Sequence, residues 1–303
     1  VPANILDASR HLTRRLKVHF VFRNTTVDLD ILHSPADNVT LANINHALTC
    51  LKMTLEFLYS KIGGAVKHVR MLWVRCDVPK IVKRTTSILG PEHVNSGYTI
   101  LGGNQGNHIV IFRIEEAEKV MVHELIHLWK YDRSLFDRDT EAELESKLPY
   151  IIKSTQGIRI NEAITETIAT LLYTSFCVKQ PLQIKQAMIL QRDHAIKQAA
   201  KILEMQGFSH LSKLKTRAFE EESHVFSYYV IKAALLYYWR CFQNIINLNL
   251  GPSDTSALLR KALINPRFIQ ALHAEIKKLS NSTKARFSSM RMTAVLNIYE
   301  KKN

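Results

Sequence analysis

Val120-Met121-Val122-His123-Glu124-Leu125-Ile126-His127-Leu128-Trp129 decides how this chain is read. It contains the pattern H-E-x-x-H. Residues 115–130 include neither Pro nor Gly, and Val120, Met121, Leu125, Ile126 and Leu128 are apolar. The spacing predicts a helix buried on most sides. Positions i and i+4 share one helix face, one turn apart, so His123 and His127 can reach a single metal ion. Glu124, beside the first histidine, can then reach a water on that metal. A histidine in such a helix is costly unless its nitrogens have partners, and a metal would supply one. The plain alternative is two satisfied core histidines and a surface glutamate.

Upstream, residues 18–22 and 27–32 read as strands around a turn at Asn24-Thr25-Thr26. A helix is expected over 40–61, with Ile44, Ala47, Leu51, Leu55 and Leu58 in its stripe and Gly63-Gly64 at its end. Residues 68–78 read as a strand stopped by Pro79. The segment 87–107 is Gly-rich and irregular, and it leads into a short strand at 108–112. Residues 102–112 are the expected exposed edge strand, where an extended peptide could pair by strand addition; an ordinary hairpin is the alternative.

Downstream the pattern is helical. Helices are expected over 139–148, capped by Asp139-Thr140, over 161–176, opened by Asn161, and over 181–205, ended by Gly207. Further helices are expected over 223–247, 253–263, 267–279 and 284–301. The fold class is therefore α+β. A mixed α/β lobe, 1–135, would carry the edge strand and the H-E-x-x-H helix, a mostly helical lobe would follow at 136–303, and the site would lie in a cleft between them.

Three-ligand metal sites keep one position open for chemistry, so a third ligand is needed. Asn161-Glu162-Ala163-Ile164-Thr165-Glu166 supplies the best candidate. Glu162 and Glu166 share a face of a helix that is otherwise apolar, where carboxylates need partners. One could bind the metal, and the other could accept a hydrogen bond from a ligand imidazole and fix its tautomer.

H-E-x-x-H followed by N-E-x-x-x-(D/E) resembles the gluzincin zinc metallopeptidases, and the second motif is especially similar to the thermolysin type. The resemblance implies a zincin-like fold, one Zn2+ per chain, and hydrolysis of a peptide or protein substrate by metal-activated water. It implies that His123, His127 and Glu162 bind zinc, that Glu124 is the general base, and that Glu166, at the other end of the motif from Asn161, orients a ligand histidine. Between His127 and Glu162 lie 34 residues, a longer gap than in thermolysin-type members. Ser223-His224-Val225-Phe226-Ser227-Tyr228-Tyr229 is similar to the downstream helix of that type. Through it His224 would stabilise the transition state, with Tyr228 or Tyr229 as the competing choice. The G-x-M-x-N motif of the aminopeptidase branch is not met: Gly102-Gly103-Asn104 lacks the Met.

The net charge of +14 over 303 residues implies attraction to polyanions. The bland account of it is a solvated basic face; the functional alternative is a basic structural or nucleic-acid-associated protein, of a virion for example, with a peptidase-like fold. Cys50, Cys76, Cys177 and Cys241 lack metal-site spacing and sit in apolar surroundings, so buried free thiols are expected. No apolar run reaches membrane-spanning length and no signal peptide is visible, which reads as a soluble chain. The first residue is Val1 and not Met, as in a processed product or an excised segment.

Overall fold

Arg14–Phe22 (β1) and Thr25–His33 (β2) form an antiparallel hairpin. Its turn falls at Arg23 and Asn24, one position earlier than expected, because Arg23 takes a left-handed conformation (φ 54°). Thr25 is thereby drawn into the strand, where its hydroxyl donates to Val66 O at 2.5 Å and meets Tyr59 Oη at 2.7 Å. On β2 Val27, Leu29 and Ile31 are fully buried, while Asp28 and Asp30 alternate with them on the other face.

The structure, a computed structural model, describes residues 1–64, 66–82, 86, 88–102, 106–155, 157–178, 180–248, 251–281 and 289–296. The chain divides into two units. One comprises Val1–Pro79 and Asn95–Tyr131, the other Lys80–Val94 and Asp132–Asn303. No single cut in the sequence separates them, since Lys80–Val94 groups with the later residues.

In the first unit, Leu41–Ile62 (α2) crosses from β2 to the parallel strand His68–Val74 (β3). Thr40 and Asn43 form a capping box at its start, and Gly63, at φ 75°, ends it. A mixed five-stranded sheet results, in the order β1-β2-β3-β5-β4, where β4 is Gly97–Ile100 and β5 is His108–Ile111. The edge strand differs from the one expected at 102–112. β5 lies inside the sheet, parallel to β3 on one side and antiparallel to β4 on the other, so β4 is the edge. Gly103 and Asn104 fall outside the described residues. Ala117–Trp129 (α4) packs against β4, β5 and α2. The short helix Ala3–Ser9 (α1) brings Ile5 into contact with Cys76 and Phe112.

The second unit includes the short helix Pro91–Val94 (α3) and is otherwise mainly helical from Tyr131–Leu135 (α5), which begins at the boundary, onward. Arg138–Ser146 (α6) is capped by Asp137, not by the expected Asp139: the Asp137 carboxylate accepts from Thr140 N. Ile160–Cys177 (α7) and Pro181–Met205 (α8) follow. Ile152–Ser154 (β6) pairs in parallel with Phe219–Glu221 (β7). The single helix expected over 223–247 is interrupted. It opens with a π-helical turn, Ser227–Ile231, continues as Lys232–Tyr237 (α9), breaks at Tyr238 and resumes as Trp239–Leu248 (α10). Pro252–Leu263 (α11) and Pro266–Ser280 (α12) complete the helices described.

Residues 289–296 are not helical, against the expectation for 284–301; residues 284–288 and 297–301 lie outside the described residues. Their carbonyls are claimed by side chains. Lys201 donates to Ser289 O, Tyr229 to Met290 O, His194 and Gln198 meet Arg291 O, and Lys232 donates to Met292 O. Met290 N donates to Lys80 O at 2.7 Å, which ties Lys80–Val94 to this unit. Among the described residues, no helix is long and apolar enough to cross a membrane.

Gly97 lets β4 lie close to α4. A Cβ built there meets Val120 Cγ1 at 2.8 Å and Val110 O at 3.0 Å. Gly97→Ala is expected to lower the urea-unfolding free energy by about 1–3 kcal/mol through this overpacking. Gly251→Ala, where an added Cβ meets open space, serves as the control and should lack that steric penalty.

Candidate functional site

In the first unit, α4 presents both histidines from one face. His123 Nε2 and His127 Nε2 are 3.0 Å apart, with ring centroids 4.7 Å apart and the rings steeply inclined. α4 is bracketed by left-handed, non-glycine residues, Glu116 (φ 63°) and Lys130 (φ 57°). Lys130 N closes the helix on the carbonyls of Ile126 and His127. His123 and Glu124 are buried, at 6% and 5% exposure, so Glu124 is not the surface glutamate of the plain alternative. Thr99 of β4 donates its hydroxyl to Glu124 Oε2 at 2.7 Å. The Gly97 contact extends to this carboxylate, since an added Cβ would stand 3.2 Å from Glu124 Oε1. The edge strand therefore fixes the glutamate, and the pairing is invisible in the sequence because Thr99 sits in a Gly-rich stretch with no strand-like alternation.

In the second unit, α7 carries Asn161, Glu162 and Glu166. The Asn161 side-chain amide donates to Asp132 Oδ2 at 2.5 Å, and its backbone N donates to Glu141 Oε1 at 2.8 Å. Thr165 Oγ1 reaches Asp132 Oδ2 and Asn161 O. These bonds hold the first turn of α7, whose Ncap residue, Arg159, makes no side-chain cap bond. Glu166 Oε1 accepts from Lys232 Nζ at 3.0 Å, and both side chains are 1% exposed. Removing one partner of such a pair leaves an uncompensated buried charge. Lys232 interrupts an apolar run, Val230-Ile231-Lys232-Ala233-Ala234, and a cation in that setting signals a buried partner.

Tyr228 donates its phenol to Glu162 Oε2 at 3.2 Å. Tyr229 is turned the other way: its hydroxyl donates to Met290 O at 2.7 Å, and the residue is buried. The His224 and Tyr228 rings stand edge to face, 6.2 Å apart. Burial pushes the His224 imidazole below its ordinary pKa and so favours the neutral ring, against the opposing pull of Glu162. Adjacent helix residues do not share a face, so Tyr228 and Tyr229 reach different partners from the π-helical turn that carries both.

The helix bearing Tyr228 is held at its start by Glu221 of β7, whose Oε2 accepts from Phe226 N at 2.6 Å. Glu221 was not identified from the sequence, where it is one of three consecutive glutamates.

One cysteine assignment differs. Cys50, Cys76 and Cys177 are buried free thiols as expected, whereas Cys241 is exposed on α10.

No family model matches the chain, and no curated protein matches it. Among solved structures it is similar to an aminopeptidase N family protein from Idiomarina loihiensis, at 11% identity and a TM-score of 0.39. That match covers 89% of this chain and 44% of the other, so the chain spans less than half of that protein's length.

Burial raises the Glu221 carboxyl from 4.5 to about 7, while the Phe226 N–H pulls the other way. A carboxyl raised by folding binds its proton more tightly in the native state. Its contribution therefore favours folding below the ordinary value and is lost as pH rises through about 7. Glu221→Gln keeps an acceptor for Phe226 N without the titration. Its melting temperature relative to wild type is expected to be higher at pH 8.5 than at pH 5; a difference independent of pH would contradict this.

Proposed function

We propose that this chain is a zinc-dependent peptidase of the gluzincin type, with His123, His127 and Glu162 as metal ligands and Glu124 as general base. The histidine pair carries the reading. Two imidazole Nε2 atoms 3.0 Å apart on a largely buried helix converge on one point, and the next residue, Glu124, is a buried carboxylate fixed by a threonine. Glu162 offers the third ligand atom. Two imidazoles and a carboxylate form a donor set suited to zinc, and a poor one for magnesium or calcium, which prefer oxygen.

A zinc ion held there supplies Lewis acidity, acidifying water and polarising the substrate carbonyl. Glu124 takes the proton from the attacking water and passes it to the leaving amine. The Thr99 hydrogen bond holds its Oε2 in place for both transfers. Tyr228 and His224 supply hydrogen-bond donors to the oxyanion, whereas the Tyr229 hydroxyl is committed to Met290 O. Lys232 anchors Glu166, and Asp132 anchors Asn161, so α7 holds Glu162 in a fixed orientation. The substrate backbone pairs with the free edge of β4.

The test is digestion of a mixed peptide library by the zinc-loaded chain, read by mass spectrometry. Wild type is expected to cleave. Glu124→Gln is expected to lose about 10²–10⁴-fold in rate while keeping its zinc. Cleavage at the wild-type rate by Glu124→Gln would contradict the assignment of the base.

A further inference from the structure

The break between α9 and α10 opens a cleft that the peptidase reading does not use. It is about 320 Å³ in volume, near the lower end of small-ligand sites. Tyr237, Tyr238 and Trp239 form one wall, where the helix breaks at Tyr238. Lys185, Ile189 and Arg192 of α8, spaced four and three apart, form the other wall from one helical face. Arg240 and Cys241 complete the lining.

The aromatic wall is braced from behind. Tyr237 packs edge-on against Phe268 of α12, with ring centroids 5.9 Å apart, and Tyr238 leans on Tyr237 at 5.8 Å. Phe268 is fully buried, so the stack is anchored to the core. The cations are unevenly neutralised. Arg192 reaches Asp193 Oδ1 at 2.7 Å and also stands 5.8 Å from the Tyr237 ring centre. Lys185 and Arg240 pair with no carboxylate among the described residues; Arg240 rests over the Trp239 ring at 5.3 Å. The cleft thus joins aromatic faces to uncompensated positive charge in a chain of net charge +14.

We propose that this cleft binds a nucleotide unit, its base stacking on the aromatic wall and its phosphate held by Lys185, Arg192 and Arg240. Stacking is open to any base because every base has a π face, and arginine and lysine are the usual phosphate partners. A simple anion would use the cations and leave the rings idle. An uncharged ring would do the reverse. A nucleotide uses both. The unit can come from a free mononucleotide or from single-stranded nucleic acid, and the cleft has room for one residue of either.

Cys241 provides the readout. It lines the cleft and is exposed, whereas the other three cysteines are buried. The experiment follows maleimide labelling of Cys241 in the full chain with magnesium present, adding ATP, a short oligothymidylate, tripolyphosphate or adenosine. At ligand about ten times its dissociation constant, occupancy is expected to slow labelling about tenfold. Protection by ATP at concentrations where tripolyphosphate and adenosine give none supports a free nucleotide. Stronger protection by the oligonucleotide than by ATP supports single-stranded nucleic acid. Trp239→Leu and the double variant Arg192→Gln/Arg240→Gln are each expected to abolish protection while unfolding at the wild-type temperature. Equal protection by tripolyphosphate and ATP, no protection by either nucleotide source, or wild-type protection in Trp239→Leu would overturn the proposal. Should Trp239→Leu unfold early, quenching of Trp239 fluorescence by ATP in the wild type decides, because Trp73 and Trp129 are buried: saturable quenching supports the site and its absence overturns it.

Discussion

Two imidazoles held one helical turn apart, His123 buried and His127 half-buried, are the constraint on which the first unit depends. His123 and His127 bring their Nε2 atoms to 3.0 Å. At that distance both nitrogens can face a single cation. Val120, Met121 and Val122 precede the pair on α4, and Leu125 and Ile126 lie fully buried between the histidines in sequence. The surrounding fold is built to keep that helix still: Gly97 brings β4 close against it, and Thr99 takes hold of the Glu124 carboxylate.

The second unit meets the same problem with carboxylates. α7 buries Glu166 and Asn161 and half-buries Glu162 in an apolar helix. Each has a named partner there: Lys232 for Glu166, Asp132 for Asn161 and Tyr228 for Glu162. The same Lys232 ammonium also binds Met292 O, so the C-terminal segment 289–294 is linked through one side chain to the helix that carries the proposed third ligand. Bonds shared in this way fix the geometry of the residues that make them. That rigidity is what a metal ligand requires of its support.

The helices were legible where periodicity and end signals agreed. Residues 40–61 were expected and Leu41–Ile62 is found, because Thr40, Asn43 and Gly63 mark the ends unambiguously. Pro181–Met205 was read with the same bounds, from Pro181 and Gly207. The edge strand was misplaced because Gly97–Ile100 is short and lies in a Gly-rich stretch, while the apolar residues 108–111 advertise a strand without saying whether it is inner or outer. The break at Tyr238 leaves no trace, since apolar residues continue on both sides of it. Residues 289–296 fail to form a helix for a tertiary reason: six side chains from elsewhere in the unit compete for their backbone. Of the candidate site, His123, His127 and Glu124 come from spacing and the Glu162/Glu166 pair from a shared helix face, while the ligand role of Glu162 and the roles of His224 and Tyr228 come from the family resemblance. Thr99, Asp132, Glu221 and the role of Lys232 were not legible, because contacts between distant segments have no local signature.

Elemental analysis of the purified wild type, after zinc loading and exhaustive dialysis, tests the central claim most directly, with Glu162→Ala and the double variant His123→Ala/His127→Ala alongside. The account predicts about one zinc per wild-type chain, a much weakened site in Glu162→Ala and none in the double histidine variant. A wild type that holds no zinc after loading, or a folded double variant that holds as much as wild type, would contradict it.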